Sequence, residues 1–372
     1  MPSLEETLAE YDYEFDSRLI AAEPAVPRDS AKLLVYSRET GEELFDTFSN
    51  IGKYLPKGAV LVLNDTKVFP ARLHCTKKTG GRVEVFYVGT TMHPTSNSSP
   101  LKRGGGHDAD DCILALTNRF LEIGEKVFLT PEIFFEVLGK EDKIYTLKPS
   151  FPIKDVQKIF KKYGETPIPP YIKNTKLSEM QLREKYQTVF AKKTGSVAAP
   201  TASLHFTKRL LAKLKKRGIQ IEFVTLHVNL GTFAPLTEEA LKTGKLHKEW
   251  YEVPEKTAKT LLKAKKEGRP IIAVGTTTVR TLEEWANYIG HPYVYVTHRD
   301  ALCNSGETRL FIRSGYKFKF VDGMITNFHV PKSSLLMLVA AFVGREKLFE
   351  LYREAMEKDF RLFSFGDGML LL

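Results

Sequence analysis

The stretch 270-PIIAVGTTTVRTLEEW-285 has the pattern of a buried strand that turns directly into a helix. Its apolar run stops at Gly275, three threonines follow, and Val279 and Leu282 then fall on one face of a helical repeat. The same order of strand, turn and helix appears in 323-GMITNFHVPKSSLLMLVAAFVG-344. Alternation of this kind predicts an α/β fold.

A different pattern lies between the two ends of the chain. The segment 57-KGAVLVLNDTKV-68 predicts another buried strand, but short alternating strands separated by turn residues follow from about His74 to Lys148. These strands are typical of a small antiparallel barrel or sandwich. We therefore predict an α/β core formed by both ends of the chain (1–72 and 186–372), an inserted antiparallel β-barrel domain (73–165) and a connector (166–185). The polar stretch 90–111 in the insert is predicted to be a loop.

Composition narrows the class of protein. The 372 residues carry a formal net charge of +10, and no apolar run is long enough to span a bilayer. The N-terminal segment 1-MPSLEETLAEYDYEFD-16 is acidic where a signal peptide would be basic. We expect a cytoplasmic protein that is a monomer or a weak homo-oligomer. Cys75, Cys112 and Cys303 show no CxxC pairing, which argues against a disulfide framework or a structural zinc site.

Three segments with helical patterns are rich in lysine and arginine. The clearest is 206-FTKRLLAKLKKRG-218, and 154-KDVQKIFKKYG-164 and 259-KTLLKAKKEGR-269 repeat the theme. One such helix usually presents a solvated face. Three of them in a chain of this charge make contact with a nucleic-acid phosphate backbone an equally good interpretation.

The two strand-to-helix turns are candidates for ligand contact. Glycine lets a ligand approach the main chain, and threonine hydroxyls with the free amides of a helix start can hold an anion or ribose hydroxyls. Neither turn matches the P-loop or the GxGxxG pattern, so each one taken singly favours helix capping over ligand binding.

Four histidines, His205, His227, His247 and His329, lie beside turn or strand-end signals. Histidine titrates near neutral pH and can act as a general acid or base, but a structural histidine is the better interpretation of any single one. Glu249 shares a face with His247 if that segment is extended. No HExxH-like spacing is present, so the histidines predict no metal site.

Two further stretches are unusual in composition or position. The segment 195-GSVAAPTASLHFT-207 is too rich in small residues to fill a core, so its backbone must lie close to something. The segment 61-LVLNDTKVFPARL-73 places polar residues at the end of a buried strand, where α/β folds commonly carry function. An Asx turn at Asn64 or Asp65 is an equally good interpretation.

Together these motifs resemble one family, the S-adenosylmethionine:tRNA ribosyltransferase-isomerases of queuosine biosynthesis. The matching blocks keep the family's order and span essentially the whole chain. Among them are YDYEFDSRLIAAEPAVPRDSAKLLV (11–35), LNDTKVFPARL (63–73), YQTVFAKKTGSVAAPTASLHFT (186–207), FVTLHVNLGTFAPL (223–236), HKEWYEV (247–253), AVGTTTVRTLE (273–283), ITNFHVPKSSLLMLVAAFVGRE (325–346) and RLFSFGDGMLLL (361–372).

The resemblance implies a reaction in which S-adenosylmethionine donates its ribosyl carbons. The implied acceptor is the aminomethyl nitrogen of 7-aminomethyl-7-deazaguanine at the wobble position of a tRNA. The implied products are epoxyqueuosine in tRNA, adenine and methionine. It also implies an α/β domain with an inserted β-barrel, with no metal or redox cofactor, since S-adenosylmethionine is a consumed substrate. No membrane partner is expected.

That chemistry needs a base near the 5′ carbon of the ribose, an acceptor for the amine's proton and a proton for the departing adenine. We expect His205 and His227 to be the acid and base, followed by His247 and Glu249. Arg280 or Lys332 would hold the methionine carboxylate. The predicted substrate-binding residues are Asn64, Asp65, Lys67, Arg72, Ser196, Thr201, Thr276, Thr277, Arg280, Asn327, His329 and Lys332.

Two other functions stay open at this point. A tRNA methyltransferase would use the same S-adenosylmethionine, but that class usually shows a glycine-rich loop after its first strand, and this chain offers none. A non-catalytic RNA-binding protein would explain the charge. It would not explain the strand-to-turn blocks rich in glycine, threonine, histidine and asparagine.

Overall fold

The computed structural model describes residues 3–91, 111–229, 236–289 and 304–372. They form two compact units, which we call the core unit (1–68 and 168–372) and the barrel unit (69–167). The core unit thus takes both ends of the chain. No helix among the described residues is long and apolar enough to cross a membrane.

Among the described residues, the helices of the core unit are α1 (Leu4–Ala9), α3 (Glu179–Lys185), α4 (Lys208–Lys216), α5 (Glu238–Thr243), α6 (Glu255–Lys266), α7 (Thr276–Ile289), α8 (Ser334–Val343) and α9 (Arg345–Glu357), and α2 (Val156–Tyr163) lies in the barrel unit. The core strands are β1 (Lys32–Tyr36), β2 (Glu43–Thr47), β3 (Val60–Asn64), β4 (Thr66–Val68), β11 (Lys193–Ser196), β12 (Gln220–Leu226), β13 (Lys245–Glu252), β14 (Ile271–Val274), β15 (Ser305–Leu310), β16 (Gly323–Asn327) and β17 (Gly368–Leu371).

Nine of these strands form one mixed sheet in the order β15-β13-β12-β3-β14-β16-β17-β1-β2. The four central strands, β12, β3, β14 and β16, are parallel to one another. At one side, β17 pairs antiparallel with β16 and parallel with β1, so the two ends of the chain meet in the same sheet. The predicted α/β core built from both ends is confirmed.

Both faces of the central strands are buried, which explains why they read as continuous apolar runs. Val60 and Val62 of β3 pack into the cluster that contains Trp285 of α7. Leu61 and Leu63, on the opposite face, pack into the cluster that contains α4. Helices therefore cover the sheet on both sides.

The barrel unit is a closed antiparallel barrel in the order β10-β7-β6-β5-β8-β9. Its strands are β5 (Arg72–Lys77), β6 (Arg82–Thr90), β7 (Ile113–Thr117), β8 (Lys126–Phe128), β9 (Phe134–Glu141) and β10 (Ile144–Pro149). Buried and partly exposed residues alternate along β9 and β10, as the sequence pattern predicted. The inserted antiparallel barrel is confirmed.

The boundaries of the units differ from the predicted ones in two places. The boundary at 72/73 falls inside β5, which pairs with both β6 and β8 and so belongs wholly to the barrel unit. The connector 166–185 contains α3, and from residue 168 it belongs to the core unit. Residues 92–110, most of the predicted loop, and Cys303 lie outside the described residues, while Cys75 and Cys112 are buried.

Candidate active site

A cavity of about 350 Å³ opens at the carboxyl ends of the central strands. From β3 the chain goes first to β12 on one side and later to β14 on the other, so β3 and β14 flank a switch point in strand order. Ligands of open α/β sheets bind outside the strand ends at such points. The lining residues lie mainly in 198–202, 275–277, 326–333 and 363–364, joined by Pro170, Tyr171, Tyr186, Val228 and Leu335.

The first strand-to-helix turn, after β14, is very short. Gly275 has φ +86°, and α7 begins at the next residue. This left-handed conformation is one that glycine adopts without strain. Thr276 and Thr277 line the cavity at the start of the helix, where main-chain amides lack helical partners. Asn64 at the end of β3 donates to the Thr277 hydroxyl at 3.3 Å, which fixes that side chain.

The second turn, after β16, is longer and carries the histidine and the lysine that line the cavity. Residues 328–333 form a loop, and Ser333 caps α8 by accepting from the Leu336 amide at 3.2 Å. Lys332 has φ +58°. A lysine in this left-handed region is uncommon, and such strain is found most often at functional sites. Phe363, also in the cavity wall, has φ +69°.

Hydrogen bonds from elsewhere in the core unit hold this loop. The Tyr13 hydroxyl donates to the His329 carbonyl at 2.6 Å, and the His329 amide donates to the Tyr352 hydroxyl at 2.8 Å. The Lys332 amide donates to the Tyr11 carbonyl at 2.9 Å, and its ammonium lies 2.8 Å from Asp12. The loop therefore presents its side chains from a braced main chain.

His329 lines the cavity and is half-buried. Burial lowers the pKa of its imidazole to about 4, so the ring is neutral near pH 7. Its Nε2 lies 2.7 Å from the Thr326 hydroxyl, which in turn reaches the Asn327 carbonyl at 3.3 Å. This arrangement favours a proton on Nε2 and a lone pair on Nδ1.

The small-residue stretch 195–207 forms one wall of the cavity. Ala198, Ala199, Pro200, Thr201 and Ala202 all line it, so main chain lies close to the cavity as expected. Ser196 is fully buried behind this wall. Its hydroxyl donates to the Ala198 carbonyl at 2.7 Å and accepts from the Val228 amide at 3.0 Å, so it braces the loop and does not line the cavity.

His205 lies behind the cavity and not in its wall. The ring stacks on Phe48 with centroids 4.6 Å apart, and burial lowers its pKa to about 3. The Asn327 side-chain amide donates to His205 Nε2 and to the Asp367 carbonyl, both at 3.3 Å. These two acceptors fix the amide orientation, and the Asn327 Oδ1 is left buried with no partner among the described residues.

The backbone at Gly195 lies close to the imidazole ring of His227. A Cβ added at Gly195 would lie 2.7 Å from His227 Nε2, so only glycine fits against that ring. The ring stacks on Trp250 with centroids 5.1 Å apart, and its Nδ1 lies 2.8 Å from the Thr66 hydroxyl. Unlike its neighbour Val228, His227 does not line the cavity.

Arg280, Glu249 and His247 lie together, apart from the cavity wall. Glu249 and Arg280 form a buried ion pair, and Glu249 also accepts from the Asn229 amide at 3.2 Å. A carboxylate that is committed in this way is poorly available as a base. One Arg280 nitrogen, Nη2, is buried without a partner among the residues the structure describes. His247 is exposed.

The residues near the end of β3 divide between the two units. Asn64 is fully buried and bonds across to β12 through the Leu226 main chain at 3.0 and 3.1 Å. Asp65 accepts from the Thr225 hydroxyl at 2.6 Å, and burial raises the pKa of its carboxyl. Lys67 is exposed on β4. Arg72 lies in the barrel unit, where its guanidinium is 3.4 Å from Glu84.

Comparison with known proteins identifies the family. A family model with the description "queuosine biosynthesis protein" matches residues 8–371 of this chain. The S-adenosylmethionine:tRNA ribosyltransferase-isomerase of Thermotoga petrophila is 44% identical over 98% of this chain and 99% of its own length, and that of Aquifex aeolicus is 42% identical over the same shares. The chain belongs to the queuosine biosynthesis protein family. It is a ribosyltransferase-isomerase, and the resemblance found in the sequence is confirmed.

A solved structure agrees with this family assignment. The S-adenosylmethionine tRNA ribosyltransferase of Thermotoga maritima matches with a TM-score of 0.53 and 32% identity, over 98% of this chain and 100% of that one. In this chain, no group of three or more His, Cys, Asp or Glu among the described residues could hold a metal ion.

Sequence reasoning missed several residues at the cavity. Tyr171 and Phe363 pack edge to face in its wall with centroids 5.1 Å apart, and the Tyr171 hydroxyl lies 2.7 Å from the Ser364 hydroxyl. Asp12 and Tyr13 hold the second turn from the other end of the chain. Most of these residues lie in the family blocks at 11–35 and 361–372. Those blocks could therefore have pointed to them.

Proposed function

We propose that this chain transfers and isomerises the ribosyl unit of S-adenosylmethionine onto 7-aminomethyl-7-deazaguanine in tRNA, and that it does so in the cavity described above. The products would be epoxyqueuosine in tRNA, adenine and methionine. The observation that supports this location is the convergence of two polar turns and two non-glycine residues in the left-handed region on one cavity at the switch point.

The first turn would hold the adenosine part of the substrate. Thr276 and the free amides at the start of α7 can donate to ribose hydroxyls, and Thr277 is oriented by Asn64. Asn327 lines the cavity beside this turn, and its side-chain amide donates to His205 Nε2 and to the Asp367 carbonyl. His205 would serve as a positioning residue, because it holds the Asn327 amide in this orientation from behind.

The second turn would hold the methionine part. Of the two cations considered for the methionine carboxylate, Lys332 lines the cavity and pairs only with the exposed Asp12. Arg280 does not line the cavity and is paired with the buried Glu249. We therefore assign the carboxylate to Lys332. The Arg280–Glu249 pair would support the end of β13 from behind the site, together with the Arg280 bond to the Leu310 carbonyl at 3.1 Å.

His329 is the best placed of the four histidines to exchange a proton with the substrate. During transfer the bond from ribose to adenine breaks and the amine nitrogen bonds to the ribosyl carbon. The amine and the ribose 5′ carbon must each lose a proton, adenine must gain one, and the bond from the 5′ carbon to sulfur must break as the ring rearranges and methionine leaves. A neutral imidazole that lines the cavity can accept a proton on Nδ1. His205 would act on the site through Asn327.

We further propose that no metal or redox cofactor takes part, because the sulfonium of S-adenosylmethionine already activates its neighbouring carbon and leaves as part of methionine. The enzyme would work in the cytoplasm, where its tRNA substrate is found, as a monomer or a weak homo-oligomer. S-adenosylmethionine and tRNA would be its partners, with no membrane contact.

The test is a reaction of the purified chain with S-adenosylmethionine and tRNA that carries 7-aminomethyl-7-deazaguanine. Free adenine and methionine should appear together, and nuclease digestion followed by mass spectrometry should find a five-carbon addition on the modified base. Addition of a single carbon would instead make the chain a methyltransferase. Binding of tRNA without adenine release would make it an RNA-binding protein, and either result would overturn the proposal.

A further inference from the structure

The basic residues of the chain are distributed unevenly between its lysine-rich helices. On α6, the lysines are largely balanced by carboxylates. Lys259 lies 2.6 Å from Glu255, Lys263 lies 3.7 Å from Glu267, and Lys265 lies 2.8 Å from Asp322. The i,i+4 pairs on this exposed face are those of an ordinary solvated helix.

Helix α4 has a similar number of cations but no acidic residue of its own. Leu210 and Leu214 are buried in the core, which fixes the opposite face of the helix toward solvent. Among the described residues, no carboxylate forms an ion pair with Lys213, Lys216 or Arg217. This part of the helix therefore carries positive charge that nothing described in the core unit neutralises.

These cations line a surface groove of about 600 Å³, which we call the α4 groove. It is formed by Lys53, Arg209, Ala212, Lys213, Lys216 and Arg217, with no carboxylate in its lining. Arg209, Lys213 and Arg217 are spaced i, i+4 and i+8. They follow one face of the helix at steps of about 6 Å, since each residue rises by about 1.5 Å.

The α4 groove is joined to the cavity by a short length of chain. Thr201 and Ala202 line the cavity, the 3₁₀ turn Thr201–His205 follows, and Thr207 then caps α4 by accepting from the Leu210 amide at 3.0 Å. Arg209 is tied to this junction through Asp29, which also accepts from Thr207. The row of cations therefore starts beside the cavity wall and runs along α4.

We infer that the α4 groove binds the phosphate backbone of the tRNA whose modified base enters the cavity. The inference rests on the proposed function. Arg209, Lys213, Lys216 and Arg217 form a closely spaced group of positive charges, and the last three form no ion pair among the described residues. Such a group fits a polyanion with regularly repeated phosphates. Contacts of this kind position the nucleic acid and carry no base specificity. The groove therefore contributes affinity and orientation for tRNA and leaves recognition of the modified base to the cavity.

The test uses a matched pair of triple variants of the full chain. The first, Lys213→Gln/Lys216→Gln/Arg217→Gln, removes the unpaired cations of the α4 groove. The control, Lys256→Gln/Lys263→Gln/Lys266→Gln, removes the same charge from exposed positions of α6. Affinity for an unmodified tRNA transcript is measured between about 50 and 200 mM salt, and S-adenosylmethionine affinity and melting temperature are measured on the same samples.

The α4 variant should bind the transcript roughly 100-fold more weakly at 0.1 M salt, with the slope of log affinity against log salt reduced by about 2. The control should stay close to the wild type, and S-adenosylmethionine affinity should not change in either variant. A variant that keeps the charge, Lys213→Arg/Lys216→Arg/Arg217→Lys, should keep the wild-type slope. This control shows that the glutamine variant loses affinity through charge and not through misfolding.

Equal losses in the α4 and α6 variants would show that net charge alone matters and would overturn the inference. A wild-type slope in a folded α4 variant would overturn it as well. Because the transcript lacks the modified base, these measurements do not depend on turnover. A failure of the proposed function would appear separately, as wild-type protein that releases no adenine.

Discussion

The two strand-to-helix turns have the same pattern in sequence but different roles in the structure. After β14, Gly275 turns the chain at once into α7, so this turn can present only hydroxyls and main-chain amides. After β16, six residues intervene before α8, and they carry His329 and the left-handed Lys332. In the proposed function the short turn holds the adenosine part of the substrate, and the long turn supplies the proton acceptor His329 and the cation Lys332. The longer loop has room for titratable side chains that the short turn cannot present.

The strongest challenge to this division is His329→Gln. Glutamine keeps a polar side chain of similar length but has no site to take up a proton. We expect kcat for adenine release to fall by about 10²- to 10⁴-fold, as for loss of a general acid or base, with little change in affinity for S-adenosylmethionine. Activity of the wild type should show no inflection near pH 6.5 from this group, because its pKa is about 4.

The matched control is His205→Gln, which makes the same replacement at a ring behind the cavity. A positioning residue should cost less than a proton acceptor, on the order of 10-fold, and mainly in KM. If the two variants lost kcat equally, His329 would not have the special role that the long turn gives it.

The next largest effect is expected from Lys332→Gln. Removing a charge-assisted hydrogen bond to a carboxylate costs about 1.5–3 kcal/mol, which raises KM for S-adenosylmethionine by roughly 10- to 100-fold. Steady-state kinetics of adenine release would measure it, and Lys332→Arg should retain most of the affinity. An unchanged KM in the glutamine variant would show that Lys332 does not bind the methionine carboxylate.

The smallest effect belongs to the short turn. Thr276→Val removes one hydroxyl at nearly constant volume, so KM for S-adenosylmethionine should rise only about 2- to 10-fold, as for one neutral hydrogen bond. Direct binding of S-adenosylmethionine by calorimetry would check it. A loss of kcat as large as that of His329→Gln would mean that both turns take part in the chemistry.

Local patterns predicted the framework of the protein well. The apolar runs at β3 and β14 are buried on both faces, as a continuous hydrophobic run indicates. Short strands in which apolar and polar residues alternate predicted the inserted barrel, which is confirmed. Whether a segment forms a helix or a strand depends on the short-range periodicity and burial of its apolar residues. Both can be inferred from the order of residues along the chain. The unit boundaries were less accurate, because they depend on which strands pair.

The roles of the histidines could not be predicted in the same way. The sequence predicts His205 and His227 as the acid and base, yet His205 lies behind the cavity against Phe48. It predicts His329 only as a substrate-binding residue, and His329 lines the cavity. The difference depends on contacts with residues far away in sequence, such as Tyr13 and Tyr352, which hold the His329 loop. No local window of sequence contains that information.

The sequence by itself determined the α/β core, the inserted barrel, the family and the two polar turns, because each depends on local order or on blocks that recur along the whole chain. Only the tertiary structure decided which residues line the cavity, that Arg280 is committed to Glu249, and that Lys213, Lys216 and Arg217 form no ion pair among the described residues. Those outcomes depend on strand order and on charges brought together from distant segments. Burial and pairing, which set the chemistry of a group, are properties of the folded chain.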